Sequence, residues 1–174
     1  MKSRTDWTLI VMTVLAWIVA VGLAIKAGAI LVSYIVSIGN PIAAKDLYKG
    51  TDLYNLRQYD FGHYTGSVML MIILEMIKCY IAFMVIRVVS KIRLANPFKP
   101  EVARDLEKIS YYIIGVWVLA ALYNAHLLWL SKRIQIAPTH FVSMEFILLA
   151  CVVFVFSQIF KRGVELQTEN ELTV

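Results

Sequence analysis

Charged residues, cysteine and proline are all scarce in this chain of 174 residues. Asp, Glu, Lys and Arg together make up 17% of the sequence, whereas an average soluble domain has about 25%. Two cysteines are too few for the disulfide framework of a small secreted protein. The sequence has no nucleophile elbow, phosphate-binding loop or metalloprotease helix motif. The chain is therefore not predicted to be an enzyme, and no cofactor is expected.

Long apolar runs are what the sequence has in abundance. Hydrophobic residues make up 60% of the chain, and the mean hydropathy is +0.70. A run of about 18 or more apolar residues is long enough to cross a lipid bilayer as a helix. The predicted fold is an all-α, integral membrane, four-helix up-down bundle that forms a single domain. Its predicted spans are residues 7–25, with a continuation of the helix to 38, then 64–86, 111–130 and 141–160.

Three polar segments connect or follow these spans. Residues 39–63 are predicted to form an outer loop, in which interleaved tyrosines and leucines favour a position at the membrane interface. Residues 96–110 form an inner amphipathic segment, since Val102, Leu106 and Ile109 share one helical face. Residues 161–174 form a tail in which Thr168 and Glu171 have the spacing of a capping box, although such a turn is too short to persist alone.

The basic residues indicate how the chain is oriented in the membrane. Cytoplasmic loops are enriched in Lys and Arg near the ends of spans. With both termini inside, the inner side carries ten basic residues (Lys2, Arg4, Arg87, Lys91, Arg93, Lys99, Arg104, Lys108, Lys161 and Arg162), and the outer side carries six (Lys26, Lys45, Lys49, Arg57, Lys132 and Arg133). Both termini are therefore predicted to be cytoplasmic. The bases adjoin apolar runs and form no separate stripe, so direct binding of nucleic acid is not expected.

Two ionisable residues lie inside the second span. Glu75 is about 16 Å into the bilayer at 1.5 Å per residue. Lys78 is one helical turn further on the same face, within pairing distance. Charged groups at this depth are predicted to face the interior of the bundle. One interpretation is a proton or ion relay or a switch, and the other, which we favour, is a buried structural ion pair.

Three histidines and one carboxylate are predicted on the outer side. His63 and His140 begin the second and fourth spans, His126 lies four residues from the outer end of the third, and Glu145 lies one turn into the fourth. His126 and Glu145 are at similar depth, so they would meet if the third and fourth spans are neighbours. A pH-sensing pair and a zinc site are two alternatives. The third is a set of ordinary interfacial histidines, because no local ligand spacing supports a metal.

Two short motifs carry a resemblance to a known family. They are Asn96-Pro97-Phe98, which opens the inner segment, and the ending Gly163-x-Glu165-Leu166-Gln167, followed by acidic residues and Leu-Thr-Val. With its four spans, the chain resembles the bacterial membrane protein family known only as domain of unknown function 2975. The resemblance implies the bacterial inner membrane and a cytoplasmic helix-turn-helix transcription regulator as partner. The residues predicted to bind that partner are Asn96, Pro97, Phe98, Glu165, Gln167, Glu169 and Glu171.

Two functions from different classes are consistent with the sequence. The first is a regulatory or sensory membrane protein that binds a cytoplasmic partner through its inner segment and tail. The alternative is a small oligomeric transporter or channel that uses Glu75 as its buried polar site. A homo-oligomer is compatible with both functions.

Overall fold

The computed structural model describes residues 4–92, 98–134 and 145–172, with side chains described over 7–92, 98–134 and 145–169. Five α-helices and one 3₁₀ helix account for most of this chain, and none of these residues is in a β-strand. The helices are α1 (Arg4–Gly39), a 3₁₀ helix (Pro41–Lys45), α2 (Tyr54–Tyr59), α3 (Phe61–Lys91), α4 (Pro100–Ser131) and α5 (Glu145–Leu172).

Four of the helices are long and apolar enough to cross a membrane. These segments are Trp7–Gly39, Phe61–Lys91, Pro100–Ser131 and Glu145–Glu169. The prediction of an all-α fold with four apolar spans is confirmed, including the continuation of the first helix to residue 38. At 1.5 Å per residue, α1 is about 54 Å long and the other three are about 42–48 Å. Each is longer than the hydrocarbon core of about 30 Å, so their ends extend into the polar layers.

The segment 161–172 is a helical continuation of α5. The sequence predicted at most an isolated helical turn in this region, and the structure corrects that prediction. The reason is that helix formation is limited by nucleation. A segment that continues an existing helix adds hydrogen bonds one residue at a time and needs no new nucleus.

Side-chain and backbone signals at the helix ends explain several of the boundaries. Pro100 occupies the first position of α4, where the missing N–H has no intrahelical partner to lose. Asp60 precedes α3, and its Oδ1 accepts a hydrogen bond from the backbone N–H of His63 at 2.6 Å. The turn between the 3₁₀ helix and α2 contains Lys49 and Gly50, both with positive φ, and Asp46 Oδ1 accepts from the Gly50 N–H at 2.9 Å.

The chain divides into two compact units. Unit 1 comprises Met1–Ala20, Tyr80–Gly115 and Met144–Val174, and unit 2 comprises Val21–Cys79 and Val116–Ser143. The core of unit 1 is formed by the end of α3, the beginning of α4 and α5. Its buried residues are Met84, Val88, Val102, Ile109, Ile113 and Ala150.

The core of unit 2 contains side chains from the segment 39–63. Four of its apolar residues, Ala44, Leu47, Leu53 and Leu56, are at most 2% exposed. They pack with residues of α1, α3 and α4, namely Ile30, Tyr34, Tyr64, Val68, Met71, Tyr123, Leu127 and Leu130. The sequence predicted that this segment is an interfacial loop. The structure adds that these four apolar side chains are packed in the core of unit 2. Burial of these side chains stabilises the segment against the helices.

Candidate functional site

A buried carboxylate in unit 2 is shared by two lysines. The Glu75 side chain is fully buried, and its Oε1 accepts from Lys78 Nζ at 3.1 Å and from Lys26 Nζ at 2.8 Å. The lysine side chains are less enclosed, with 31% of Lys26 and 17% of Lys78 exposed. Glu75 Oε2 is also buried, and none of the described residues donates a hydrogen bond to it. We refer to Lys26, Glu75 and Lys78 as the buried triad.

Lys26 is the member of the triad that sequence reasoning missed. It was counted among the outer basic residues, but it lies within α1 with its ammonium group on Glu75. An i,i+3 spacing within one helix identifies Lys78 as a partner, whereas no local spacing links α1 to α3. The sequence did contain a signal for this pairing. Lys26 lies inside an apolar run with no acidic residue nearby along the chain, and a charge in such a position needs a buried partner from another segment.

The segment 39–63 approaches the triad through a tyrosine. The Tyr48 ring centroid is 5.8 Å from Lys26 Nζ and 5.5 Å from Lys49 Nζ. Both distances are within the range of cation–π attraction. The ring therefore lies near a lysine of the triad and a lysine of the positive-φ turn.

Two of the predicted outer histidines are close together in unit 2. The rings of His63 and His126 are 5.4 Å apart, and each ring centroid is 6.2 Å from that of Trp129. Arg133 Cζ lies 4.6 Å over the same tryptophan ring. The part of the chain with described side chains contains no group of three or more His, Cys, Asp or Glu residues that could hold a metal.

The remaining two residues of the predicted outer cluster have different outcomes. Glu145 is the first residue of α5 and is exposed. His140 lies outside the described residues. The approach of His126 to Glu145, and with it a pH-sensing role, stays a prediction.

The two family-like motifs meet in unit 1. The ring of Phe98 lies 5.5 Å from that of Phe160 and rests directly on Gly163. A Cβ atom at Gly163 would be only 2.6 Å from Phe98 Cε1 and 2.8 Å from its Cγ. A glycine is therefore required at this position for the ring to pack as it does. Asn96 and Pro97 lie outside the described residues.

Ion pairs accompany this aromatic contact. Lys161 Nζ is 2.9 Å from the Glu107 carboxylate, which connects α5 to α4 within unit 1. Arg162 Nη1 is 2.7 Å from Glu165 Oε2 on the same helix. These contacts lie at the point where α5 changes from apolar to polar sequence.

The last described turns of α5 form an exposed surface. Glu165 and Glu169 are exposed and one turn apart, so they lie on one helical face. Leu166 is 47% exposed beside them. We call Glu165, Leu166 and Glu169 the α5 end surface. Gln167 is half-buried, and the side chain of Glu171 lies outside the described part.

Comparison with known proteins identifies the family of this chain. A family model described as protein of unknown function (DUF2975) matches residues 51–174. This range contains both motifs, Glu75 and Lys78, and it begins after α1. No curated protein and no solved structure matches the chain.

Proposed function

The chain belongs to the DUF2975 family of proteins of unknown function, and we propose that it is a membrane-spanning regulatory protein that binds a cytoplasmic partner at the α5 end surface. One observation carries this proposal. The helix α5 continues past its apolar part and is held against the Phe98 segment and α4 by an aromatic contact and an ion pair. A helix held in place presents its side chains with less loss of conformational entropy on binding than a free tail would.

The chemistry of the surface favours a basic partner. Two exposed carboxylates, of which Glu165 is also paired with Arg162, flank an exposed leucine, and this surface combines charge steering with a small apolar contact. A small helix-turn-helix regulator, the partner implied by the family resemblance, has a positive surface with which it contacts DNA phosphates. Binding of that surface to Glu165 and Glu169 would compete with DNA. The membrane protein would then hold the regulator away from its operator.

The proposed location is the bacterial inner membrane, with both termini in the cytoplasm. Because Lys26 pairs with Glu75, it no longer counts as an outer loop charge. The outer total falls from six to five (Lys45, Lys49, Arg57, Lys132 and Arg133), against ten on the inner side. The larger bias supports an inner position for the α5 end surface.

The test is capture of the regulator by the tagged full chain from native membranes, with recovered proteins identified by mass spectrometry. We expect the wild type to capture a helix-turn-helix protein and the Glu169→Lys variant to fail to capture it. Glu145→Lys is the matched control, since it makes the same charge change at the opposite end of the same helix. Equal recovery with wild type and Glu169→Lys, or no such protein with either, would refute the proposal.

A point substitution is a sharper test than deletion of the chain after Arg162. Deletion would also remove Gly163, which contacts Phe98. Loss of the partner could then result from disturbed packing in unit 1. Glu169→Lys changes an exposed side chain and leaves that contact in place.

A second candidate function, transport or conduction, is supported by the buried triad. Two lysine ammonium groups meet on one carboxylate oxygen of Glu75, and the Tyr48 ring lies 5.8 Å from the ammonium group of Lys26. Against this role, the two lysines already neutralise the carboxylate, as in a structural cluster. Ion flux through proteoliposomes that is abolished by Glu75→Gln, with partner capture unchanged, would favour this candidate instead.

A further inference from the structure

A strongly charged cavity lies in unit 1 where α3 ends and α4 begins. It has a volume of about 340 Å³ and is lined only by charged residues, namely Arg87, Lys91, Glu101, Arg104, Asp105 and Lys108. Four cations and two anions give the lining a net charge of +2. An excess of positive charge in one concave site attracts an anionic ligand.

One of the four cations, Lys91, forms ion pairs with both acidic residues. Lys91 Nζ is 2.9 Å from Glu101 Oε2 and 3.2 Å from Asp105 Oδ2. Arg87 makes a longer contact, with its Nε 3.5 Å from Asp105 Oδ2, and its guanidinium group has two further nitrogens that can donate.

The other two cations supply the unused donors. Arg104 and Lys108 are exposed, and neither forms a hydrogen bond or an ion pair within 4 Å with another residue that the structure describes. They are one helical turn apart on α4 and both line the cavity. Their donors, together with those of Arg87, match the several acceptor oxygens of a phosphate group.

A second cavity adjoins the charged one and has different chemistry. Its volume is about 360 Å³, and it is lined by Tyr80, Lys108, Tyr111 and Tyr112. Lys108 lines both cavities, so the cationic and aromatic linings share this residue. The Tyr80 and Tyr112 rings are in edge-to-face contact at 5.2 Å, and all three tyrosines are exposed. Tyrosines are typical of the level of lipid headgroups and glycerol.

Both cavities lie at the boundary between apolar and polar sequence. The apolar part of α3 ends at Ile86, immediately before Arg87, and the apolar part of α4 follows Lys108. We propose that this composite cavity binds the phosphate headgroup of an anionic phospholipid. The phosphate lies among Arg87, Arg104 and Lys108, and the glycerol region lies along the tyrosines. Basic pockets at the ends of membrane helices bind anionic lipids by this chemistry.

The geometry favours a lipid over the other anions that a basic site attracts. A free phosphate ion would use the charged cavity alone and would leave the tyrosine-lined cavity without a role. An acidic protein segment would approach from water, whereas the exposed tyrosines continue toward the apolar spans. A phospholipid supplies a group for each lining, a charged phosphate for the cations and an attached glycerol and acyl part for the tyrosines.

The test is native mass spectrometry of the detergent-solubilised full chain, titrated with dioctanoyl phosphatidylglycerol. Separate arms use dioctanoyl phosphatidylcholine and inorganic phosphate. The test variant is Arg104→Gln with Lys108→Gln, both at exposed positions. The matched control is Lys132→Gln with Arg133→Gln, which removes the same charge from two other exposed residues. Thermal unfolding checks that each variant is folded. If the double test variant does not fold, Lys108→Gln alone takes its place in the test.

We expect wild type and control to bind phosphatidylglycerol more tightly than phosphatidylcholine. The test variant should bind phosphatidylglycerol roughly tenfold more weakly for each charge-assisted hydrogen bond lost. Equal binding of the two lipids by the wild type would overturn the proposal, as would an equal loss in control and test variants. Displacement of phosphatidylglycerol by equimolar inorganic phosphate would identify a phosphate site instead. If the test variant loses a co-purified protein while its lipid binding is unchanged, the cavity is a protein-docking site and the lipid proposal is refuted.

Discussion

The buried triad predicts an unusual pattern of stability in a series of substitutions. In the wild type, Lys26 and Lys78 both donate to Glu75 Oε1. Replacing either lysine by methionine leaves the buried carboxylate with one cation. Replacing both lysines leaves it with none. The carboxylate is fully buried, so the second replacement should cost much more than the first.

The magnitude follows from the cost of an unpaired buried charge. Removing one partner of a buried ion pair costs about 3–5 kcal/mol. We expect Lys26→Met or Lys78→Met alone to cost less than about 1 kcal/mol, because the other lysine remains. The double lysine variant should cost about 3–5 kcal/mol, which leaves a coupling of at least about 1 kcal/mol between the two sites after the two single losses are subtracted. Glu75→Gln should cost about 3 kcal/mol, since both partly exposed lysines lose their anion and can partly turn toward polar groups.

The triple variant, Lys26→Met with Glu75→Gln and Lys78→Met, is the decisive member of the series. It leaves no charge at the triad, so its stability should return to within about 1–2 kcal/mol of the wild type. If Glu75 and Lys78 formed an isolated structural ion pair, Glu75→Gln with Lys78→Met would compensate each other. With Lys26 present, that double variant still strands one ammonium group, and compensation should be incomplete.

The assay is reversible unfolding of the purified chain in mixed micelles, with the free energy of unfolding compared across the series. Lys132→Met is the control, because its side chain is exposed. If the double lysine variant loses no more than the sum of the two single variants, the lysines do not share one carboxylate and the reasoning is wrong.

Three further outcomes are expected. Gly163→Ala should destabilise the wild type by about 1–3 kcal/mol through overlap with the Phe98 ring. In a Phe98→Ala background the same change should stabilise the chain by about 1 kcal/mol, because alanine is the better helix former. Reversible unfolding measures both effects, and an effect of the same sign in both backgrounds would contradict the contact. Tyr64→Phe removes a buried 2.6 Å hydrogen bond with Ser37 and should cost about 1–2 kcal/mol in the same assay, with little further loss in Ser37→Ala/Tyr64→Phe. Reporter fusions active only in the cytoplasm should give a signal at both termini, and silence at either end would refute the proposed orientation.

The sequence was sufficient to predict the helices because membrane spans are defined by local composition. Unbroken apolar runs gave the four spans, and the apolar stretch after Lys26 gave the full length of α1. Backbone groups in lipid must be bonded within the segment, so a long apolar run has few alternatives to a helix. The helical continuation of α5 was missed because the isolated stability of its last residues was considered without the helix before them.

The sites were predictable only where partners are neighbours along the chain. Lys78 follows Glu75 by three residues on one helix, so their pairing could be read directly. Lys26 and the Phe98–Gly163 contact depend on which helices pack together, and that information is absent from local spacing. The burial of Leu47, Leu53 and Leu56 was missed for a similar reason, since apolar side chains between two spans are compatible with both an interfacial loop and a packed one.

The extent of the family match bears on which site carries the function common to its members. The matched range begins at residue 51, so it includes Phe98, Gly163 and the α5 end surface, but α1 lies outside it. The buried triad also includes Lys26 of α1, whose ammonium group is the second cationic donor to Glu75 Oε1. A property common to the family has to reside in residues that the family model includes. Both the α5 end surface and the Glu75–Lys78 pair lie inside that range, whereas Lys26 lies outside it, so we expect Lys26 to serve this chain's own stability.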